Sequence, residues 1–378
     1  MSEQVFTGAR IVLGDEVVRG SLAVRDGRIA AVDAGPSRRG EDMGGDVLIP
    51  GLVELHTDHI EGHYLPRPGV RWDRMAALQA HDAQVAASGI TTVFDALRVG
   101  TDEDARLGSA DMLAMADTIA AAAAAGRLRA DHRIHLRCEV SAPDALRAFE
   151  AIAGRPLVGI VSLMDHAPGQ RQYTDLDAYR TYYQRKMNLT DAGFLAFSDR
   201  RVAESLAHSD PHRRAIAEFC RARGVTVASH DDATAAHVGE AVALGVTLAE
   251  FPTTIEAARA SHAAGLSVLM GGPNVVRGGS HSGNVSASAL LAEGLLDVLS
   301  SDYVPFSLLQ AAFGLAETGT LDLPAAARLV STNPARAARL DDRGLIAPGL
   351  RADLVRVHTQ PGLPPLVRAV WREGRRVA

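Results

Sequence analysis

The sequence predicts an α/β protein: a (β/α)8 barrel of the TIM type with a small β-sandwich domain assembled from both chain ends. Three observations lead there. The chain has 378 residues, enough for a barrel of roughly 250 residues and a minor second domain. Eight short apolar or β-branched runs alternate with helical stretches, as in successive βα units around a parallel sheet. Alternating apolar and polar positions, separated by turn signals, mark both termini.

In chain order, residues 4–48 read as short antiparallel strands ending in a Gly/Arg-rich loop at Pro36–Gly45. The eight barrel strands are expected at Val47–Leu55, Ile90–Asp95, Arg133–Glu139, Val158–Met164, Val225–Ser229, Thr247–Glu250, Ser267–Met270 and Asp297–Ser301. The strand pattern of the start returns at Leu345–Ile346, Ala352–His358 and Ala369–Val377, broken by Pro-Gly and Glu-Gly turns. Residues 1–48 with 345–378 are therefore expected to form the small domain, and 49–344 the barrel. The alanine-rich stretch Met112–Ala125 is interrupted by Asp117 and is shorter than the ~20 apolar residues of a membrane span. It reads as a packed helix.

Composition narrows the function. Hydrophobic residues make up 47% and charged residues 22%, so a packed core is expected and global disorder is not. Lys and Arg total 39 against 45 Asp and Glu, a net charge of −6, which argues against a nucleic-acid or membrane-surface binder and makes any anion site local. Cys138 and Cys220 stand far apart with no Cys-x-x-Cys spacing, which suggests neither a disulfide framework nor a thiolate zinc site. With no basic segment followed by an apolar run at the start, a cytoplasmic protein is expected. Neither Gly-x-Ser-x-Gly nor a dinucleotide or Walker loop occurs.

What stands at the strand ends carries the chemistry, because barrel active sites are built from the loops after the strand carboxyl ends. The first strand runs into His56, Asp58, His59, Glu61 and His63, the fourth into Asp165 and His166, and the fifth into His230, Asp231 and Asp232. The sixth ends at Glu250 and the eighth at Asp302. Residues i and i+2 of a strand share a face, so His56 and Asp58 can converge on one ion. Imidazole with carboxylate suits Zn²⁺, Mn²⁺ or Fe²⁺ better than an all-oxygen ion such as Ca²⁺. Each residue singly is as well explained by capping or a core hydrogen bond; the coincidence of His56, Asp58, Asp165, His230 and Asp302 at one end of one barrel favours a metal.

The segment PGLVELHTDHIEGH, His230, Asp302 and the tail GLIAPGLRADLV resemble the amidohydrolase superfamily, whose split β domain flanks a metallo-barrel. Within it, HTDHIEGHYLPRPGVRW, SLMDHAPGQRQY, EFPTT, GGPNVVRGGSHSGNVSA and LLDVLSSDYVP look like a subgroup of triphosphate-ester diphosphatases acting in phosphonate breakdown by the carbon–phosphorus lyase route. The subgroup's departures from the superfamily are shared: Asp58 replaces the second His of His-x-His, Glu250 the strand-six His, and no lysine ends strand four. The chain differs from the subgroup in His59, where Asn is expected, and in Met187–Asn188, where Tyr-Gly is common.

The resemblance implies one or two divalent ions, zinc first and manganese or iron as alternatives. His56, Asp58, His230 and Asp302 would be ligands, Asp165 the bridging anion, and Glu250, His63 and His166 either further ligands or groups that orient the ligands. Catalysis would depend on Asp302, Asp165 and His230, with Asp302 accepting the proton of the attacking water. A triphosphate needs cationic and N–H donors, for which Arg67, Arg71, Arg171, Lys186 and Arg277 are candidates. So is the run Gly278–Asn284, with Gly279, Ser280, His281 and Asn284, leading towards a helix near Val285; an ordinary glycine-rich loop is the equal alternative. The expected product is the ribose 5-phosphate ester with release of pyrophosphate, and a homodimer is the default assembly. Two rivals stay open: hydrolysis of a C–N bond in a small phosphorylated substrate, and an inactive barrel scaffold.

Overall fold

The computed structural model describes residues 3–101, 107–171, 176–280 and 283–378. The chain opens with β1 (Glu3–Val12), β2 (Val17–Arg25), β3 (Arg28–Ala34), β4 (Glu41–Asp42) and β5 (Val47–Pro50). The barrel follows as β6 (Leu52–Thr57), β7 (Ile90–Val99), β8 (Asp131–Glu139), β9 (Val158–Met164), β10 (Thr226–His230), β11 (Leu248–Glu250), β12 (Ser267–Gly271) and β13 (Val298–Ser300). The chain then returns to the first sheet with β14 (Leu354–His358), β15 (Leu366–Arg372) and β16 (Arg375–Arg376).

Strands β6 to β13 pair in parallel, each with its neighbour in sequence. The ring closes where the Asp302 amide donates to the His56 carbonyl at 3.1 Å and Thr57 bridges Asp302. Glu54 locks the seam: buried, it accepts from the amides of His56 (2.6 Å) and Ser301 (2.5 Å) and from the Ser300 hydroxyl (2.7 Å). The strands read as nearly continuous apolar runs because helices cover the outside while the barrel's own residues fill the inside.

One buried cluster takes Val53 and Leu55 from β6, Phe94 from β7, Ile160 from β9, Ala228 from β10, Leu248 from β11, Leu269 from β12 and Val298 from β13. Two residues further along, and so on the same face, stand Ser162, His230, Glu250 and Ser300. The apolar layer thus gives way to a polar one at the carboxyl ends.

The structure corrects the first expected barrel strand. The run Val47–Leu55 is two strands in two sheets: β5 pairs with β1 and β14, and β6 with β7. The chain passes between them at Gly51, where a Cβ would stand 2.2 Å from the Thr91 hydroxyl. Both halves are buried and apolar, so periodicity carries no sign of the break. The end segments form one hydrogen-bonded sheet in the order β16-β15-β14-β5-β1-β2-β3, with β4 on β1. Its inner face is one cluster in which Phe6, Leu22 and Ile29 meet Leu354, Ala369 and Trp371. The layers of the expected sandwich are therefore two halves of a single sheet. The alanine-rich stretch is helix Ser109–Ala124, and no helix among the described residues is long and apolar enough to cross a membrane.

Candidate active site at the barrel mouth

At the centre of the mouth is the Glu250 carboxylate at the end of β11, 1% exposed. Its Oε1 lies 3.1 Å from His56 Nδ1 and its Oε2 3.2 Å from His230 Nδ1 and 2.5 Å from the Ser162 hydroxyl. An ionised carboxylate only accepts, so both imidazoles carry a proton on Nδ1 and turn Nε2 away from Glu250. Burial opposes the Glu250 charge, but His56 and His135 outweigh it and hold its pKa well below the ordinary value. The rings of His56 and His230 stack 5.7 Å apart, with the edge of Phe251 against both. His135 donates from Nδ1 to the Leu55 carbonyl (2.8 Å) and touches Ser162 through Nε2. Burial above all keeps His135 neutral, its pKa pressed down to about 3.

Around this core stands a ring of carboxylates. Asp58 lies 3.2 Å from Arg137 Nη1. Burial first, and then the charge of Asp58, raise the pKa values of both Asp302 and Glu61. Asp231 Oδ2 is 3.5 Å from His230 Nε2 and 3.6 Å from His166 Nε2. His166 bonds Glu139 through Nδ1 at 2.7 Å; burial disfavours its cation, yet Glu139 and Asp231 prevail and lift its pKa to about 10. Asp231, Phe251 and Asp302, each at a strand end, have φ of 56°, 52° and 55°. Non-glycine residues in the left-handed region are costly and concentrate at functional sites.

The donor chemistry fits a divalent cation. His56, His230 and Glu250 bring donor atoms within 4.8 Å of one another, as do His166, His230 and Asp231. Two imidazoles oriented by a shared carboxylate are the usual arrangement behind metal ligands. The raised pKa values of Asp302 and Glu61 mark unbalanced negative charge that a cation would relieve. Nitrogen and oxygen donors without thiolate suit Zn²⁺, Mn²⁺ or Fe²⁺. Both oxygens of Glu250 are already engaged, which makes it an orienting group for His56 and His230.

Of the residues expected from sequence, His56, Asp58, His166, His230, Glu250 and Asp302 come together here. Asp165 does not. Its Oδ2 accepts from Ser205 (2.9 Å), Ser209 (2.7 Å) and Arg213 (3.1 Å) of helix Asp191–Arg223, and its Oδ1 from the Ala167 amide (3.2 Å). It anchors that helix instead of facing the imidazoles. His63 stands beside His59 and His81, ring centroids 5.0 and 5.9 Å away, with its Nε2 buried and unbonded. Arg171, 4% exposed, is ion-paired to Asp232 and lies 3.6 Å from Glu240; burial, then Arg213, lower its pKa to about 10.

Arg67 is exposed, Arg71 pairs with Asp111 at 3.2 Å, and Lys186 and Arg277 are exposed in the last turns of their helices. Gly279 and Ser280 follow helix Gly272–Arg277; His281 lies outside the described residues. The helix expected near Val285 is Ala287–Ala292, beyond Asn284. The Ala287 amide is taken by the Asn274 side chain (2.9 Å) and the Ala289 amide by Ser286 (3.1 Å), so these two do not await an anion.

Sequence reasoning missed His135, Arg137, Glu139 and the role of Asp231. A signal for the first three existed: in DHRIHLRCE the polar residues Arg133, His135, Arg137 and Glu139 alternate with buried Ile134, Leu136 and Cys138. A strand covered on both faces has no other reason for such a polar face.

A model of the amidohydrolase family matches residues 47–376. Alpha-D-ribose 1-methylphosphonate 5-triphosphate diphosphatase of Escherichia coli (strain K12) is 48% identical over 377 residues, covering 99% of this chain and 100% of that protein. Among solved structures, the fold resembles N-acetyl-D-glucosamine-6-phosphate deacetylase from Mycobacterium smegmatis (20% identity, TM-score 0.62, covering 99% of this chain and 100% of the other). It also resembles 5-methylcytosine deaminase from Klebsiella pneumoniae (17% identity, TM-score 0.65, covering 99% and 98%).

Proposed function

This chain belongs to the amidohydrolase family, and from that premise we propose that it hydrolyses alpha-D-ribose 1-methylphosphonate 5-triphosphate to the 5-phosphate and pyrophosphate in phosphonate catabolism. The observation that carries the substrate is the full-length likeness to the diphosphatase of that name. The pairing of His56 and His230 on Glu250, with Asp58 and Asp302 alongside, supports the metal-dependent chemistry.

His56, Asp58, His230 and Asp302 would hold the first cation. A second cation would fall to His166 and Asp231, since His230, with its Nδ1 given to Glu250, has one lone pair to offer, and zinc suits the donor set best. When bound, a divalent cation polarises phosphoryl oxygens and makes water more acidic. Water adds its oxygen to a phosphorus flanking the bridge between the first and second phosphoryl groups, that P–O bond breaks, and pyrophosphate leaves on the bridging oxygen or is itself the group attacked. Asp302 takes the water's proton: it stands at the end of β13 with its amide fixed to His56, so its carboxylate belongs to the ring around the imidazoles. Glu250 keeps both rings in one tautomer, and Phe251 excludes water from their outer edges. The enzyme works in the cytoplasm as a homodimer.

The test is phosphorus NMR of the substrate with protein reconstituted separately with Zn²⁺, Mn²⁺ and Fe²⁺. Pyrophosphate and the 5-phosphate should appear together, and both should vanish in His56→Asn. Release of orthophosphate alone, or no turnover with any of the three metals, overturns the reading.

A further inference from the structure

Among the carboxylates at the mouth stands the guanidinium of Arg137, whose bonding is incomplete. Arg137 comes from the middle of the polar face of β8, two residues after His135 and two before Glu139. Its side chain is 12% exposed and its Nη1 lies 3.2 Å from Asp58 Oδ2. Its Nε is buried without a hydrogen-bond partner, and no acceptor among the described residues meets its Nη2. A guanidinium carries five N–H donors in a fixed fork, and each unmet buried donor in a folded protein calls for an explanation.

The other arginines near the mouth are engaged differently, although Arg171 and Arg213 also bury an unbonded Nε. Arg201 reaches Glu139 and Ser141, Arg213 is committed to Asp165, and Arg171 to Asp232 with Glu240 near its second Nη. Each of them fixes an element of the wall. Arg137 alone among these four sends its charge onto His56, Asp302, Asp231 and Glu61 together. Its ion pair with Asp58 is also the one that a bound cation would weaken, because Asp58 is among the carboxylates proposed to hold it.

We infer that Arg137 is a catalytic residue of the proposed hydrolysis, binding the oxygens of the phosphoryl group under attack and neutralising the charge that grows there as the P–O bond breaks. The inference rests on the reading of the site as a phosphoric-anhydride hydrolase. A planar fork matches two phosphoryl oxygens, and in phosphoryl transfer catalysis is largely positioning and charge neutralisation. Supplied from a barrel strand, such an arginine is preorganised and loses little side-chain entropy on binding.

The experiment compares wild type, Arg137→Gln and Arg137→Lys, each reconstituted with the same metal and checked for metal content. Two readouts are taken: kcat and KM for pyrophosphate release, and calorimetric binding of inorganic pyrophosphate, which needs no turnover. Arg137→Gln should lower kcat by about 10²–10³-fold, the loss typical of removing one preorganised donor, and weaken pyrophosphate binding by at least about tenfold, with metal content unchanged. Arg137→Lys, which keeps the charge and loses the fork, should recover pyrophosphate binding more than kcat. Added guanidinium ion should restore part of the rate in Arg137→Gln.

Pyrophosphate binding and kcat within threefold of wild type in both variants overturn the inference. So does loss of metal in proportion to activity, which would make Arg137 a counter-charge for Asp58. If wild type releases no pyrophosphate while Arg137→Gln still weakens its binding, the proposed substrate is wrong and the anion-binding role stands.

Discussion

The shared acceptor Glu250 decides the form of two other side chains. Because one carboxylate receives Nδ1–H from both His56 and His230, the two rings present Nε2 in the same tautomer. In Glu250→Gln the amide oxygen can serve one ring while the NH2 group faces the other, so one imidazole must flip or lose its bond. Metal affinity should fall about 10–100-fold, as for other orienting groups behind ligands; competition against a chromophoric chelator measures it, and unchanged affinity would mean that Glu250 does not orient the ligands. Asp302 admits an equally clean substitution. Its φ of 55° is one that Asn adopts readily, so Asp302→Asn should keep fold and Tm while losing about 10²–10⁴-fold in kcat as the proton acceptor disappears. A loss of only a few fold with metal retained would rule out the base role.

At the scale of elements, one helix sets the geometry of a quarter of the mouth. Helix Asp191–Arg223 offers Arg201, Ser205, Ser209 and Arg213, four residues apart and so on one face. This stripe grips two strand-end carboxylates, Glu139 through Arg201 and Asp165 through the other three. Arg213→Ala leaves Asp165, whose side chain is 1% exposed, without its cation. Breaking a buried pair from one side costs about 3–5 kcal/mol, and urea unfolding should show that loss; a change below about 1 kcal/mol would mean that the two hydroxyls suffice.

The same helix shows where sequence reading stops. The strand-end residues His56, His230, Glu250 and Asp302 are legible because a strand's period is local and its carboxyl end is the functional one. Asp165 looked equivalent, but its partners Ser205 and Arg213 lie 40 and 48 residues away, and only the helix's docking decides which acid it grips. Arg137 and Glu139 were missed for the opposite reason: their alternation is local, but an apolar run with interspersed charges reads as a strand before it reads as a site. The division of Val47–Leu55 at Gly51 leaves no mark in the hydrophobic pattern because both halves are buried; its signal is the Pro50-Gly51 dipeptide.

Over the whole molecule, strain and repelling acids gather at the mouth while other networks hold the frame together. One apolar cluster runs from the small sheet into the barrel, joining Val12, Val47, Ile49, Val355 and Val370 to Leu52, Ile90 and Leu299. At the start of β8, Arg343 donates to Asp131 (2.5 Å) and to the Thr92 hydroxyl (2.9 Å), with Arg351 3.4 Å from the same acid. Next to Asp131 on that strand, His132 lies buried between Asp95 (2.7 Å) and Asp82 (3.3 Å), while Asp95 also bonds His81 (2.8 Å).

Asp82 further accepts the amides of Arg129 and Ala130 and the Arg129 guanidinium. Burial disfavours the His132 cation, but Asp95 and Asp82 outweigh it and raise its pKa from 6.5 to about 9. Burial likewise opposes the Asp95 charge, and His132 with His81 bring it from 3.8 down to about 2. The signs follow by linkage. A raised histidine stabilises the fold fully below its unfolded value of 6.5 and loses that contribution as the pH climbs through about 9. A depressed carboxylate contributes fully above 3.8 and loses it as the pH falls through about 2. The contribution of His132 with Asp95 is therefore whole between about 4 and 6.5 and declines on either side, while His81, its pKa lowered first by burial, subtracts from it as the pH falls below 6.5. His132→Asn should lower stability by about 3–5 kcal/mol at pH 6, because two buried acids lose their cation. It should also flatten the decline between pH 6.5 and 9, whereas an equally steep alkaline limb in the variant would place the cause elsewhere. The measurement is urea unfolding of wild type and variant across the pH series, and kcat of the folded variant at pH 6 should stay within a few fold of wild type, since none of these groups bonds the imidazoles of His56 or His230.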